Sequence, residues 1–426
     1  APESKVKVSV IIPVYNGAQY LDECLKSVAN QTLKNIEVIC IDDGSEDESL
    51  SILNKYQHKD KRFTVLQQDH LGGGAARNKG LKIAKGEYLS FLDCDDFFEK
   101  DLLERLYSQC KKTNADIGVC KVRIYDNKTK DTSIDKNSFA VNNIPKKEVF
   151  ASYELRNCIF STFQTWAWNK LFKRSFIQKE DIQFQEIMRT NDMFFVNKAL
   201  IRARRITAVP AALVNYRVGT ASNCQSTNSL YPKDFLLALM RLKEEIYNYP
   251  NEIIRNLYLI SFENLAVKSC IYNLNSLNEP HAYAALYKYL HTYAFSEQGI
   301  DLKRINEKNI YKENKDKYRE CLKILKFDFE EYMYDKLFFY RNQQVKMKEL
   351  QVQIEKTDKK KRDLRIERLE KEISVLKDRL DDEKNNYRTK YLLLRASLSF
   401  RIGYFITSVP RNIRNYYKKK KENKVR

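Results

Sequence analysis

The first hundred residues alternate between short apolar runs and amphipathic segments. The runs are rich in β-branched side chains and end in Pro, Asn, Asp or Gly, which is typical of buried strands followed by loops. The segments between them carry apolar residues at helical spacing. This alternation predicts an α/β fold with a parallel, doubly wound sheet. Strands are predicted within residues 8–17 and at 36–41, 63–66 and 88–92, and helices at 20–31, at about 46–56 and from residue 72.

The strand predicted at 88–92 runs directly into three carboxylates, Asp93, Asp95 and Asp96. Unpaired buried charge is costly, so a divalent cation is the simplest reason for this cluster. Mg²⁺ and Mn²⁺ prefer oxygen ligands, and Mg²⁺ typically shares carboxylates with substrate phosphates. The alternative is that these residues only cap a helix starting near Phe97, and one of them is expected to do so because Asp is a preferred N-cap.

Two further polar loops, Tyr15-Asn16 and Asp42-Asp43, also follow predicted strands. Because the carboxyl ends of parallel strands meet at one edge of a sheet, these loops and the acidic cluster are expected to converge there. The sequence therefore predicts a cleft of nucleotide size that holds a metal ion and a diphosphate.

Four motifs in this region resemble the nucleotide-binding half of family 2 glycosyltransferases. The motifs lie at residues 10–16 (VIIPVYN), 41–45 (IDDGS), 74–80 (GAARNKG) and 91–96 (FLDCDD). Their order and spacing together are specific, whereas each motif alone is weak. The resemblance implies a GT-A fold with a doubly wound, Rossmann-like mixed sheet, and a metal-dependent, inverting sugar transfer.

The resemblance also implies roles for particular residues. Pro13, Tyr15 and Asp43, with Asp42 nearby, would line the uracil and ribose pocket, since a carboxylate can accept from an imide N–H or from ribose hydroxyls.

Arg77 would approach the diphosphate or the base, because its planar fork suits phosphate oxygens. Asp93 and Asp95 match the DxD signature and would hold Mn²⁺ or Mg²⁺, with Asp95 as the direct ligand and Asp93 either touching the ribose or supporting the metal indirectly. Two positions depart from the family pattern. His70 stands where Asn is common, and is interpreted as a surface or structural residue. Cys94 is interpreted as a packing residue, because a thiolate suits hard cations poorly.

Inverting transfer needs a base that deprotonates the acceptor hydroxyl. Asp192 precedes an apolar helical run and is the candidate, although it could instead be an N-cap. The family often has a Glu-Asp pair here, and Asn191 replaces the Glu. No His lies between His70 and His281, so a third metal ligand is not identified.

A stretch around the only two Trp residues resembles the family's Trp-Asn-Lys-Leu motif upstream of the base. Trp166, Trp168, Asn169 and Lys170 are therefore candidates for acceptor binding, since indole rings stack on sugar faces. One Trp could equally be core. Arg217 could contact phosphate or form a structural salt bridge.

Length and composition bound the remaining possibilities. With 426 residues and a 43% hydrophobic fraction, the chain can form two or three units with a sizeable core. Nine Cys without a C-x-x-C pair suit a reducing cytoplasm and argue against disulfides or a zinc site. Residues 1–7 are not expected to form a signal peptide. The sequence has no uncharged apolar run of about 20 residues, so no transmembrane helix is predicted.

The formal net charge of +20 is concentrated at the C-terminus. Residues 391–426 hold ten Lys or Arg against one Glu, interleaved with apolar and aromatic residues. Such a segment is typical of an interfacial anchor on anionic lipid, which predicts a cytoplasmic protein peripheral to the inner face of the membrane. A docked helix and a solvated tail remain alternatives.

Between the catalytic region and this tail the sequence predicts two helical parts. Residues 226–342 carry apolar side chains at helical spacing and are assigned as an accessory domain. Residues 343–390 are assigned as a coiled coil on a short seam around Ile366, Ile373 and Leu380, which predicts a homodimer or one long helix. The catalytic domain is assigned to 1–225, with a nucleotide-binding half at 1–100 and an acceptor half at 101–225.

We therefore expect a UDP-sugar donor and a glycan acceptor of a surface polysaccharide, capsule or lipooligosaccharide precursor, plausibly lipid-linked. A nucleotidyltransferase is the main competing enzyme class, but its basic Gly-rich loop is missing after the first strand. A catalytically inactive glycan- or nucleic-acid-binding scaffold is a further alternative. Nucleic-acid binding would leave the catalytic motifs unexplained, so no nucleic-acid partner is expected.

Overall fold

The computed structural model describes residues 6–136, 138–220, 228–297, 299–355, 371–375 and 377. The predicted tail at 391–426 and most of the predicted coiled coil therefore lie outside the described residues. The chain divides into two compact units, Ala1–Ser269 with Asn306–Lys312, and Cys270–Ile305 with Glu313–Arg426. The first helix beyond residue 225, at 234–247, packs on the helix at 191–202 and so falls in the first of these units. The predicted domain boundary after residue 225 stays a prediction.

The first unit is built on a nine-stranded mixed sheet in the order β3-β2-β1-β4-β8-β6-β9-β5, with β7 beside β6. Neighbours among β1 to β4 pair in parallel, as the alternation predicts, whereas β8 and β5 run antiparallel to their neighbours. The strands are β1 Val8–Val14, β2 Ile36–Asp42, β3 Phe63–Gln67, β4 Tyr88–Phe91, β5 Phe97–Phe98, β6 Ile117–Asp126, β7 Thr132–Ile134, β8 Lys170–Lys173 and β9 Ile206–Val218.

Helices cover both faces of this sheet. One face of β1, with Val8, Val10 and Ile12, packs into a core that includes the buried face of α1. On the other face α3 lies very close, because a Cβ at Gly80 would be 2.6 Å from Ile11. The helices are α1 Ala18–Ala29, α2 Ser49–Lys59, α3 Gly73–Ile83, α4 Leu102–Thr113, α5 Ile159–Thr162, α6 Arg174–Lys179, α7 Asn191–Arg202, α8 Asp234–Tyr247 and α9 Glu252–Asn275.

The helix expected near Phe97 is absent, and that prediction was wrong. Phe97 and Phe98 form β5, which pairs antiparallel with β9, and α4 begins only at Leu102. The aromatic side chains explain the difference, since Phe97 packs edge-on against Tyr125 and Phe98 is buried. The acidic residues before β5 therefore do not cap a helix there, which removes the helix-cap alternative.

The second unit is helical in its described residues. It contains α10 Pro280–Tyr289, which continues into a π-helical turn at Leu290–Ala294, then α11 Lys315–Lys326 and α12 Phe329–Glu355. Buried tyrosines hold it together, and the Tyr287 hydroxyl donates to the carbonyl of Phe327 at 2.9 Å. No helix among the described residues is long and apolar enough to cross a bilayer.

Only part of the predicted coiled coil lies within the described residues. Lys346 on α12 pairs with Glu372 at 3.4 Å, and both Leu350 and Ile373 are buried. The segment 371–375 therefore lies beside α12 of the same chain, so the seam residue Ile373 is covered without a second copy. A homodimer stays a prediction.

Candidate active site

Three carboxylates meet where β4 ends. Oxygen atoms of Asp93, Asp95 and Asp96 all lie within 4.8 Å of one another. Asp96 is buried, and the other two are partly exposed. Like charges this close repel, so the cluster needs either protonation or a cation. The third member, Asp96, belongs to the acidic cluster that the sequence predicts, but it was not among the expected metal ligands, Asp93 and Asp95. Its place directly after the DxD signature, three residues after Asp93, was the signal for it.

Arg217 holds the backbone of this acidic loop. Its main-chain N–H donates to Asp96 Oδ1 and its Nε donates to the Asp95 carbonyl, both at 2.8 Å. Its Nη2 pairs with Glu23 Oε2 at 2.6 Å, and its guanidinium lies over the ring of Tyr20. Arg217 thus forms the structural salt bridge that was one of its two expected roles, and it fixes the loop that carries the carboxylates.

The electrostatics of the cluster favour a hard cation. Burial raises the pKa of Asp95 to about 6, and the charge of Asp93 adds to the rise. Burial likewise raises the pKa of Asp96 well above its usual range, with contributions from Asp95 and Asp93. Asp96 Oδ2 is buried and has no hydrogen-bond partner. An unpartnered buried carboxylate oxygen beside two other carboxylates is the donor set that Mg²⁺ or Mn²⁺ accepts.

Arg77 connects the acidic cluster with the second half of the unit. It is buried on α3. Its Nη2 donates to Asp93 Oδ1 at 2.6 Å, and its Nη1 donates to Asn191 Oδ1 at 2.8 Å. At position 191, where the family often has Glu, this chain thus offers Arg77 the neutral acceptor of an Asn. Arg77 Nε is buried without a partner. The guanidinium therefore lies at the site, as expected, but two of its nitrogens are already bonded within the protein.

Asp192 lies in the first turn of α7, beside Asn191. The N-cap is Thr190, which has φ 53°, so the alternative that Asp192 is the N-cap was wrong. Burial raises the pKa of Asp192 to about 6, with Asp93 adding to the rise and Arg77 and Lys170 opposing it. A carboxylate with a pKa near 6 is mostly ionised at neutral pH yet basic enough to take a proton.

The nucleoside candidates lie at the ends of β1 and β2. Asp43 is buried, and its carboxylate accepts four hydrogen bonds from residues 68–72, so it fixes that loop. His70 Nδ1 is one of these partners at 2.9 Å, and its ring stacks on Tyr15 with centroids 3.8 Å apart. His70 is thus structural, as interpreted. Tyr15 is 44% exposed, whereas Pro13 is half-buried, and Asp42 Oδ1 is buried without a partner.

Lys170 and Asn169 are fully buried rather than presented to a ligand. Lys170 Nζ donates to the carbonyls of Gln164 and Trp166 and to Asn169 Oδ1, at 2.6 to 2.9 Å. An ammonium has three donors, so none remains for a substrate. Asn169 Nδ2 donates to the Cys120 carbonyl on β6 at 2.9 Å. These two side chains are therefore not exposed to an acceptor. They hold the loop at residues 164–169 in place instead.

Burial lowers the pKa of Lys170 to about 7, and Asp192 opposes that shift. The ammonium fixes the loop that carries the two indoles. Trp166 and Trp168 stack at 4.6 Å, and Trp168 also stacks on Tyr216 at 5.3 Å. Trp168 is buried in the core, which was the alternative considered for one Trp, whereas Trp166 is partly exposed.

The comparisons with known proteins agree with this geometry. The model of the family "Glycosyl transferase family 2" matches residues 9–180. A cholesterol galactosyltransferase of Borreliella burgdorferi is 33% identical over 290 residues, covering 62% of this chain and 77% of that protein. The chain belongs to glycosyl transferase family 2. The expectations of this family and of a glycosyltransferase are confirmed, and the nucleotidyltransferase alternative loses its support.

Two further relatives are matched over different shares of their length. The poly(ribitol-phosphate) beta-N-acetylglucosaminyltransferase TarP of Staphylococcus aureus is 32% identical over 252 residues, 57% of this chain and 73% of TarP. The chain spans 62% of the putative glycosyltransferase EpsH of Bacillus subtilis, at 33% identity over 51% of its own length.

The fold is shared with solved structures. The S. aureus TarS 1–349 structure with UDP-GlcNAc superposes with a TM-score of 0.52 at 22% identity, covering 74% of this chain and 92% of that one. TarS 1–349 alone gives a TM-score of 0.50 at 23% identity, covering 74% and 91%. The expectation of an α/β GT-A domain followed by helices is confirmed.

Proposed function

We propose that this family 2 member is a metal-dependent, inverting glycosyltransferase that moves a sugar from a UDP-sugar to a hydroxyl of a glycan acceptor. The observation that carries the proposal is the arrangement at the end of β4. Three carboxylates lie within 4.8 Å, Asp96 Oδ2 is unpartnered, and Arg77 links Asp93 to the turn that holds Asp192. A metal site, a phosphate-binding side chain and a base are the groups that this reaction needs.

Asp95 and Asp93 are the proposed metal ligands, and Asp96 is added to them. A bound Mn²⁺ or Mg²⁺ would supply charge compensation for the leaving diphosphate. Arg77 would share that task, because donor phosphate oxygens can compete with its present acceptors and its Nε is without a partner.

Asp192 is the proposed base. It takes the proton of the acceptor hydroxyl while that oxygen attacks the anomeric carbon, and the bond to the UDP oxygen breaks on the opposite face. A single displacement of this kind inverts the anomeric configuration. The raised pKa of about 6 supports this role, because the carboxyl is ionised at neutral pH and close to the operating range of a general base.

The donor and acceptor lie on either side of these groups. We propose that Pro13, Tyr15 and Asp42 line the nucleoside pocket, with Asp43 holding the neighbouring loop. UDP-GlcNAc is the first donor to test, because TarS 1–349 was solved with it. Trp166 is proposed to stack on the acceptor sugar, since it is the partly exposed member of the stacked pair.

The acceptor is proposed to be a surface polysaccharide, capsule or lipooligosaccharide precursor, reached from the inner face of the cytoplasmic membrane. Binding of the basic segment 391–426 to anionic lipid and a homodimer through residues 343–390 remain part of this proposal on the sequence alone. The domain boundaries after residues 225 and 342 are kept on the same basis.

The test is UDP release from a panel of UDP-sugars, with Mn²⁺ or with EDTA. Metal-dependent release from one donor by the wild type, lost in Asp95→Asn, is the expected result. Asp101→Asn is the matched control, because Asp101 is a partly exposed carboxylate paired with Arg105 outside the cluster. Binding of UDP without release from any donor would contradict the enzyme and support an inactive scaffold, while equal release by Asp95→Asn would remove the metal site.

A further inference from the structure

A groove lies in the first unit, away from the acidic cluster. Its volume is about 930 Å³, and it is an open groove between α4, the start of β9 and the loop at 139–148. None of its lining residues belongs to the candidate active site. A groove of this size matches the range that binds small organic ligands.

The walls of this groove are tied together by hydrogen bonds. Gln109 on α4 donates to Thr207 Oγ1 at 3.1 Å, and that hydroxyl donates to the Glu148 carbonyl at 2.7 Å. Phe150 and Ile206 exchange main-chain hydrogen bonds at 2.7 and 3.0 Å. The loop is thus fastened to β9, so the groove is part of the fold rather than a gap beneath a loose loop.

Its charge is unbalanced. Five of the described lining residues are Lys or Arg, and Glu148 is the single acid among them. Glu148 already pairs with Lys112 at 2.5 Å. Lys121 is half-buried, and neither Lys121 nor Lys146 has a carboxylate partner within the described part of the chain. Two unpaired ammonium groups around one groove favour an anionic ligand.

Most of the remaining lining is apolar. Phe139 and Val209 are buried against the groove, and Val141 is 57% exposed at its rim. Lys121 Nζ lies 5.5 Å from the centre of the Phe139 ring, so the cation and the apolar surface are adjacent. A ligand that joins a negative group directly to an apolar chain would satisfy both features.

We propose that this groove binds the phosphate and the adjoining apolar chain of a lipid-linked glycan acceptor. This inference rests on the proposed function and adds the acceptor class. β9 runs from Pro210 at the groove to Tyr216, which stacks on Trp168 beside Trp166. Six residues of strand span at most roughly 20 Å, at about 3.3 Å per residue. The lipid phosphate would be held in the groove while a short glycan extends along the strand to the reaction site.

Binding of soluble probes to the full chain tests the proposal by calorimetry. The probes are farnesyl phosphate, farnesol, inorganic phosphate and dihexanoyl phosphatidate. Farnesyl phosphate is expected to bind most tightly. Lys121→Gln and Lys146→Gln are each expected to weaken it by about tenfold or more, as for loss of a charge-assisted hydrogen bond. Val141→Asp should weaken the binding of farnesyl phosphate further, and because Val141 is exposed this variant is expected to fold.

Lys61→Gln is the matched control, because this exposed lysine precedes β3 at the opposite edge of the sheet. The basic segment 391–426 is the same in every variant, so its own lipid affinity cancels. Equal affinity of all variants would overturn the groove as the site. If inorganic phosphate bound as tightly as farnesyl phosphate, the proposed contact with an apolar chain would be wrong. If phosphatidate bound as tightly, the groove would be a site for membrane phospholipid and not for a lipid-linked acceptor.

The UDP-release assay separates this inference from the proposed function. Lys121→Gln and Lys146→Gln should leave metal-dependent UDP release from the donor alone unchanged. Release by the wild type without any binding of farnesyl phosphate would overturn the groove proposal by itself. Binding that is lost in the lysine variants, without UDP release from any donor, would support the ligand site and remove the proposed function.

Discussion

Replacing Lys170 by Met should change how stability depends on pH. The ammonium of Lys170 is fully buried and its pKa is lowered from 10.5 to about 7. Near neutral pH the folded protein therefore carries a charge that is less favourable than in the unfolded chain. As pH rises from 7 towards 10.5, the folded state loses this proton first, and the penalty falls. Wild type should thus gain stability relative to Lys170→Met over this range.

The size of the effect follows from the two pKa values. With 1.36 kcal/mol per unit, the penalty is about 4 kcal/mol at pH 7 and about 2 kcal/mol at pH 9. Between pH 7 and pH 9, the free energy of unfolding of wild type should therefore rise by about 2 kcal/mol relative to that of Lys170→Met. The variant also leaves three acceptors unpaired, at about 1–3 kcal/mol each, but this loss does not depend on pH.

Urea unfolding at pH 7, 8 and 9, followed by tryptophan fluorescence, measures this directly. Both Trp residues of the chain lie in the loop that Lys170 holds, so the signal reports on this unit. Lys173→Met is the control, because that ammonium lies on the same strand but near solvent, bonded to Asn114. A difference between wild type and Lys170→Met that stays constant from pH 7 to 9 would refute the buried charge.

Three further predictions concern the proposed reaction and its frame. Asp192→Asn should lower kcat by about 10²–10⁴-fold with little change in the donor KM, and near-normal kcat would exclude this base. Wild-type kcat/KM should fall as pH drops below about 6, where Asp192 becomes protonated. In Lys170→Met this fall should begin at higher pH, since Lys170 opposes the rise in the pKa of Asp192. Asp96→Asn keeps an oxygen for the Arg217 N–H, so it should fold normally but need about tenfold more Mn²⁺ for half-maximal rate, whereas an unchanged metal titration would exclude Asp96 as a ligand. Gly74→Ala places a Cβ 2.1 Å from the Gln185 carbonyl oxygen, so it should lower the free energy of unfolding by about 2 kcal/mol, and an unchanged urea midpoint would contradict this contact.

The strands and helices of the nucleotide-binding half could be predicted because each follows a local pattern. β1, β2 and β3 lie within a residue or so of the predicted runs, and α3 starts at the Gly-rich turn. The short strand at Phe97 could not be predicted, because its partner on β9 is more than a hundred residues away. Two aromatic residues after a cluster of Asp fit a helix start equally well from local sequence.

The candidate site shows the same limit. Asp93 and Asp95 were expected at one sheet edge because strand ends converge there. Arg77 and Asp192 were expected beside them from the family resemblance. It could not show that Lys170 is buried, because a lysine in a polar motif is usually exposed. That role depends on carbonyls which only the folded loop turns towards the ammonium.

The contacts of Arg77 have a consequence for how this protein can change over evolutionary time. One guanidinium holds a residue from the loop after β4 and a residue at the start of α7, which lie about a hundred positions apart in the chain. A lysine has no planar fork to reach both acceptors, so even that conservative exchange would free one of them. Natural variation at positions 77 and 93 should therefore be correlated, whereas position 191 should accept any residue whose side chain offers an acceptor oxygen to Arg77.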